Sequence, residues 1–167
     1  METNTATSCT INLANLRFPP LSMEYGQVVQ AKVSAINEYG TSPSSDVGGE
    51  AILSTIPDKP YGISEDESQR TSDEIRLTWN APDFTGGIEV LDYRIQMREG
   101  IKPWEQYGSN VQGTATTISG LTPGTSYQFM LEARNNVGYS FESDAKQFVA
   151  GAAPDAPFLV QTLNSAD

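Results

Sequence analysis

The stretch that most constrains this chain is Leu121-Thr122-Pro123-Gly124-Thr125-Ser126-Tyr127-Gln128-Phe129, continued by Met130-Leu131-Glu132-Ala133-Arg134-Asn135-Asn136-Val137-Gly138. From Tyr127 to Asn135 the odd positions carry Tyr, Phe, Leu, Ala and Asn, and the even ones Gln, Met, Glu and Arg. That period of two belongs to a strand with one buried face. Pro123 presets φ in the preceding turn and Gly124 can take positive φ, so the chain reverses just ahead of the strand. A tyrosine opening such a strand can bury its ring and tie its hydroxyl back to the turn backbone, a corner found in two-sheet sandwiches.

Part of this pattern occurs twice. Ala31-Lys32-Val33-Ser34-Ala35-Ile36-Asn37-Glu38-Tyr39-Gly40 aligns with residues 129–138, placing Asn37 and Asn135 98 positions apart. Pro57-Asp58-Lys59-Pro60 aligns with Pro154-Asp155-Ala156-Pro157 at an offset of 97. Two landmarks recurring at nearly one spacing predict a tandem array. Residues 57–153 make one complete unit. Residues 1–56 match only the second half of a unit, strands E, F and G, and residues 154–167 match a linker and strand A of a third. The paired prolines fix φ at each handover, which predicts short, stiff joints and an extended rod.

Within the complete unit, patterning and turns predict strand A at 61–64, B at 74–80, C at 89–98, E at 114–118, F at 127–135 and G at 143–149, with a crossover toward C′ at 101–104. In B, Ile75, Leu77 and Trp79 alternate with Arg76 and Thr78; in C the apolar members are Val90 (or Leu91), Tyr93, Ile95 and Met97. Asp83-Phe84-Thr85-Gly86-Gly87 is a turn signal. Short strands, turn chemistry between them and no helical period indicate an all-β, immunoglobulin-like sandwich. The expected core is Trp79, Tyr93, Ile95, Tyr127, Phe129 and Leu131.

Trp79, Tyr93, the Leu121-to-Tyr127 motif and the Asn135-to-Gly138 turn, in that order and spacing, resemble the fibronectin type III domain over residues 57–150. Residues 9–56 resemble half of one, with Met23 for Leu121, Tyr25-Gly26 for Pro123-Gly124, Val29 for the corner Tyr127, and a longer E–F connection at 16–21. Arrays mixing such units are similar to large repetitive surface proteins of ciliate-type protists. The resemblance implies a non-catalytic structural or adhesive module that meets protein partners, at the cell surface or outside it. Intracellular spacers of cytoskeletal or ciliary filaments and carbohydrate- or calcium-binding accessory modules of larger enzymes are the alternatives. The F–G loop lacks the Arg-Gly-Asp tripeptide through which some members engage integrins.

Ten basic against 21 acidic residues give a net charge of −11, which repels nucleic acid and anionic lipid. No apolar run of bilayer length occurs, so no membrane insertion is expected. There is no histidine and only Cys9, which removes the commonest general base, the thiolate metal sites and any intrachain disulfide. No enzyme activity and no cofactor are expected. Glu65-Asp66-Glu67, with Asp73 and Glu74, is the best cation candidate; its plainer reading is a solvated loop. Tyr39, Trp104, Tyr139 and Phe141 are the candidate partner-binding residues. Aromatics in loops anchor interfaces, yet they also pack adjacent repeats, and Trp104 can equally cap the core edge. Strands E, F and G alone would leave Ile11, Leu13, Val29, Val33 and Ile52 facing missing strands. That predicts a cover from outside the unit: another chain supplying strands, self-association, or the tail 158–163 of a neighbour.

Overall fold

The computed structural model describes residues 8–151. Its elements run α1 (Leu13–Arg17), β1 (Val28–Ala31), β2 (Ile36–Asn37), β3 (Gly40–Thr41), β4 (Gly48–Ile52), β5 (Tyr61–Glu65), β6 (Ile75–Asn80), β7 (Asp92–Glu99), β8 (Glu105–Val111), β9 (Ala115–Ile118), β10 (Ser126–Arg134) and β11 (Lys146–Val149). A single 3-10 turn, Glu67–Gln69, joins β5 to β6. The strand expected at 154–167 lies outside the described residues.

From β5 onward the strands form two antiparallel sheets, ordered β5-β6-β9 and β11-β10-β7-β8. In the strand lettering above, these are layers A-B-E and G-F-C-C′ of the expected all-β sandwich. Alternation dictates which face each strand buries. Along β6, Ile75, Leu77 and Trp79 point inward; across the gap they meet Tyr93 and Ile95 of β7 and Tyr127, Phe129 and Leu131 of β10. Every one of these side chains is buried, and the Trp79 and Tyr93 rings meet edge to face at 5.4 Å. Val90, rather than the half-exposed Leu91, joins the core ahead of β7. The Tyr127 hydroxyl accepts the Thr122 N–H at 3.0 Å, closing the corner at the turn.

Residues 8–56 depart from expectation in two places. No strand E forms; the segment is instead the one-and-a-half-turn helix α1, with Asn12 Oδ1 accepting the Ala14 N–H. In the sandwich β9 is a strand because it pairs with β6. The earlier segment has no such partner among the described residues, so its backbone groups bond locally. Strand F is likewise interrupted between β1 and β2, whereas β10 runs unbroken with β7 along its other edge. Ile11, Leu13, Val33 and Ile52 are all exposed. Among the described residues, no helix is long and apolar enough to cross a membrane.

The hairpin of residues 31–45 still reproduces that of 129–143. Ser42 Oγ accepts the Ala35 N–H and Ser45 Oγ accepts the Val33 N–H, as Ser140 and Ser143 do for Ala133 and Leu131. Asn37 Oδ1 accepts from Tyr39 and Gly40, as Asn135 Oδ1 does from Val137 and Gly138. A hydroxyl standing in for a carbonyl lets the return strand peel away without orphaning the amide. The sequence repeat is thus a repeat of hydrogen bonds.

Candidate interaction site at the joint

The four aromatic candidates do not come together. Tyr39 is 90% exposed at the tip of the β2–β3 hairpin. Phe141 is 79% exposed beside an open hollow that Asp58, Lys59, Tyr61 and Asp83 also line. Tyr139 and Trp104 are half-buried against guanidinium groups on the outer face of the β7–β10 sheet. Arg94 Cζ lies 4.1 Å and Arg134 Cζ 5.4 Å from the Tyr139 ring centre, while Arg98 Cζ sits 4.6 Å from that of Trp104. Arg94 donates to Glu132 at 2.7 Å, and Arg134 pairs with Asp92. Those carboxylates are almost fully buried, and their hydrogen bonds push both arginines above their ordinary pKa. Two of the four rings therefore brace the sheet, and two stand free.

The acidic run is engaged by arginine. Glu65 pairs with Arg70, Asp66 lies 3.7 Å from Arg76 and caps the 3-10 turn through the Ser68 N–H, and Asp73 accepts from the Thr71 and Ser72 hydroxyls. Among the described residues no three acidic, histidine or cysteine side chains converge as a metal site.

Three separate segments converge where residues 53–58 pass into the sandwich. Thr55 N–H donates to the Gly86 carbonyl (2.9 Å) and Asp58 N–H to the Phe84 carbonyl (2.9 Å), so the linker pairs with the β6–β7 loop. Asn135 Nδ2 then donates to both the Thr55 and Thr85 carbonyls, at 2.7 and 2.9 Å. One side chain thereby ties the β10 turn, the loop and the linker together. Leu53, Pro57 and Pro60 are buried along this path, and Ile56 lies against Gly138.

Two glycines make the approach possible. Gly86 and Gly87 have φ of +83° and +87°, a region that side chains strain to enter. A Cβ on Gly86 would overlap the Thr55 carbonyl oxygen, and one on Gly87 would sit 2.5 Å from the Gly26 nitrogen. Above them Tyr25 meets Phe84 with ring centres 5.5 Å apart, and Arg17 Cζ of α1 lies 4.2 Å from the Tyr25 ring centre. Turn chemistry predicts turns at Asp83–Gly87 and at Asn135, but their meeting with residues 55–58 depends on the tertiary fold and has no local signal in the sequence.

A family model described as "Fibronectin type III domain" matches residues 58–149. Chicken "M-protein, striated muscle" is 34% identical over 137 residues, which is 78% of this chain and 9% of that protein. Mouse "Protein sidekick-1" is 36% identical over 107 residues, 61% of this chain and 5% of that protein. The solved domains A168–A170 of titin superpose with a TM-score of 0.62 at 26% identity, covering 78% of this chain and 44% of that one. The chain spans less than a tenth of the length of the M-protein and sidekick-1 relatives.

Proposed function

Because this chain belongs to the fibronectin type III family, we propose that it is a non-catalytic segment of a tandem array, holding successive sandwiches at a fixed spacing and angle for protein partners. The observation that carries the reading is the joint. Residues 55–58 are hydrogen-bonded into the Phe84–Gly86 loop and clamped by Asn135, with glycine at the two positions of closest backbone approach. A hinge meant to flex would leave those backbone groups to water. Each such bond contributes about 0.5–1.5 kcal/mol net, and together they oppose bending at the linker. The free rings of Tyr39 and Phe141 are the partner-facing residues in this reading. The apolar side of residues 8–56 is where strands from adjacent sequence, another chain or a second copy would add.

Two placements follow from an array of this kind: a cell-surface adhesive stalk, or a spacer in an intracellular filament. Fusion of the chain to a fluorescent reporter in its own cells separates the two.

The test of the joint is amide exchange at Thr55 and Asp58 with small-angle scattering on the same protein. Both amides should exchange slowly, and Gly86→Ala should release them and broaden the distance distribution while the Trp79 emission of the sandwich stays native. Exchange of Thr55 at the rate of a free peptide in the unaltered chain would refute the fixed joint.

A further inference from the structure

The joint has two sides, and the chain carries one of them twice. On the upstream side of the joint that is present, Tyr25 and Gly26 form a turn whose Gly26 N–H donates to the Leu53 carbonyl (2.8 Å), while Leu53 N–H donates back to the Gln27 carbonyl (2.8 Å). At the far end of the sandwich the arrangement recurs. Gly124 N–H donates to the Ala150 carbonyl (2.7 Å), and Ala150 N–H donates to the Thr125 carbonyl (3.0 Å). Gly26 and Gly124 share the left-handed region at φ +92° and +78°, and Leu53 and Ala150 are both buried. The surroundings differ. A Cβ on Gly26 would meet Gly87 at 3.4 Å, whereas among the described residues one on Gly124 would meet nothing within 4 Å and Pro123 and Gly124 are exposed.

We propose that the Pro123–Gly124 turn with the Ala150–Gly151 backbone is a docking surface for a further sandwich of this same family, one whose loop between its second and third strands carries an adjacent pair of positive-φ glycines. The inference rests on the tandem reading above and adds which atoms the next unit meets. Backbone shape selects the occupant, because only a glycine pair lets a loop approach Gly124 as Gly87 approaches Gly26. The second joint is also the weaker of the two. Pro123 stands where Tyr25 stands, so the ring pair with Phe84 is missing. The loss of one aromatic pair lowers the ratio of docked to open forms roughly 2- to 10-fold.

The test joins a second copy of residues 57–153 directly after Ala153, in place of residues 154–167, segmentally labelled so that the copy's signals are distinct. Cross-relaxation between the Gly124 amide proton and the Gly87 α-protons of the copy is expected, with the Gly26–Gly87 pair of the first joint as the standard. Gly87→Ala in the copy should abolish that contact while native Trp79 emission reports that the copy is folded. If the copy carrying the alanine does not fold, the unaltered extension decides alone. If Thr55 is protected and the Gly26 contact is seen but Gly124 keeps the shift it has in the unextended chain, the docking surface is refuted and the fixed joint stands. If Thr55 and Gly26 also show no contact with the sandwich, both readings fall.

Discussion

In the hairpin of residues 31–45, Val33 is 71% exposed; in that of residues 129–143 the matching Leu131 is fully buried. The serine bonds to the backbone amides and the asparagine Oδ1 bonds recur in both, and Asn135 alone adds its Nδ2 bonds to the Thr55 and Thr85 carbonyls. Local side-chain-to-backbone bonding is therefore enough to shape the hairpin and has no influence on whether it packs. Packing comes from the facing sheet, from Ile75, Leu77 and Trp79, which the first hairpin lacks among the described residues. One motif thus sits in two environments, and substituting matched residues separates what sequence-local chemistry contributes from what burial contributes.

The largest gap should open at the core. Trp79→Ala removes the central indole between the sheets and is expected to cost about 3–5 kcal/mol, a large share of a typical domain's stability. Leu131→Ala should cost about 2–5 kcal/mol. Val33→Ala, at the matching position, should stay within about 0.5 kcal/mol. Urea unfolding followed through the amide signals of β10 reads all three, and equal midpoints for Leu131→Ala and Val33→Ala would abolish the contrast.

A smaller gap separates the two asparagines. Asn135→Ala strands the carbonyls of Thr55 and Thr85 and the amides of Val137 and Gly138, and a buried group left without its partner costs about 1–3 kcal/mol. Asn37→Ala breaks only the bonds to the exposed Tyr39 and Gly40 amides, which water can satisfy, so about 0.5 kcal/mol is expected. Thermal denaturation of the two variants side by side gives the difference.

The corner should rank third. Tyr127→Phe deletes the hydroxyl that accepts from Thr122 and keeps the ring, for about 0.5–1.5 kcal/mol at unchanged denaturant slope. Val29, at the same place in the first unit, has no hydroxyl to lose. Val29→Phe should therefore leave that hairpin's exchange pattern as it is.

How much of this was legible beforehand follows the same division. The strands of the sandwich were readable because alternation reports burial directly: Ile75, Leu77 and Trp79 on one sheet, Tyr127, Phe129 and Leu131 on the other. The helix at Leu13–Arg17 was not, because Ile11 and Leu13 carry a strand-like pattern whose ladder partner would have been a strand like β6. The joint was only half readable. Prolines at 57 and 60 announced a stiff handover, but nothing in Asp83–Gly87 states that its carbonyls receive the amides of residues 55 and 58. That pairing depends on where two distant segments meet in space. The aromatic candidates divided for a related reason, since Tyr139 meets Arg94 of β7, far from it in sequence, and Trp104 meets Arg98 only because the chain folds back after β7.

The smallest effect concerns alkaline pH and again distinguishes the regions. Burial pushes the Tyr93 phenol above its ordinary value of 10.0, because the ionised form would sit between the sheets. Below pH 10 the phenol is neutral in both folded and unfolded chains, so its contribution is complete. As pH rises past 10, the unfolded chain releases the proton while the folded one retains it. Stability therefore falls with pH from there up to the raised folded value. The unfolding free energy of the sandwich should be level between about pH 7 and 9 and decline above about pH 10. Tyr93→Phe keeps a ring edge-to-face with Trp79 and should flatten the decline. The hairpin of residues 31–45 holds only Tyr39, which is 90% exposed, so its amide protection, corrected for intrinsic base catalysis, should not follow the same curve. A decline equally steep in Tyr93→Phe would assign the alkaline loss to a group other than Tyr93.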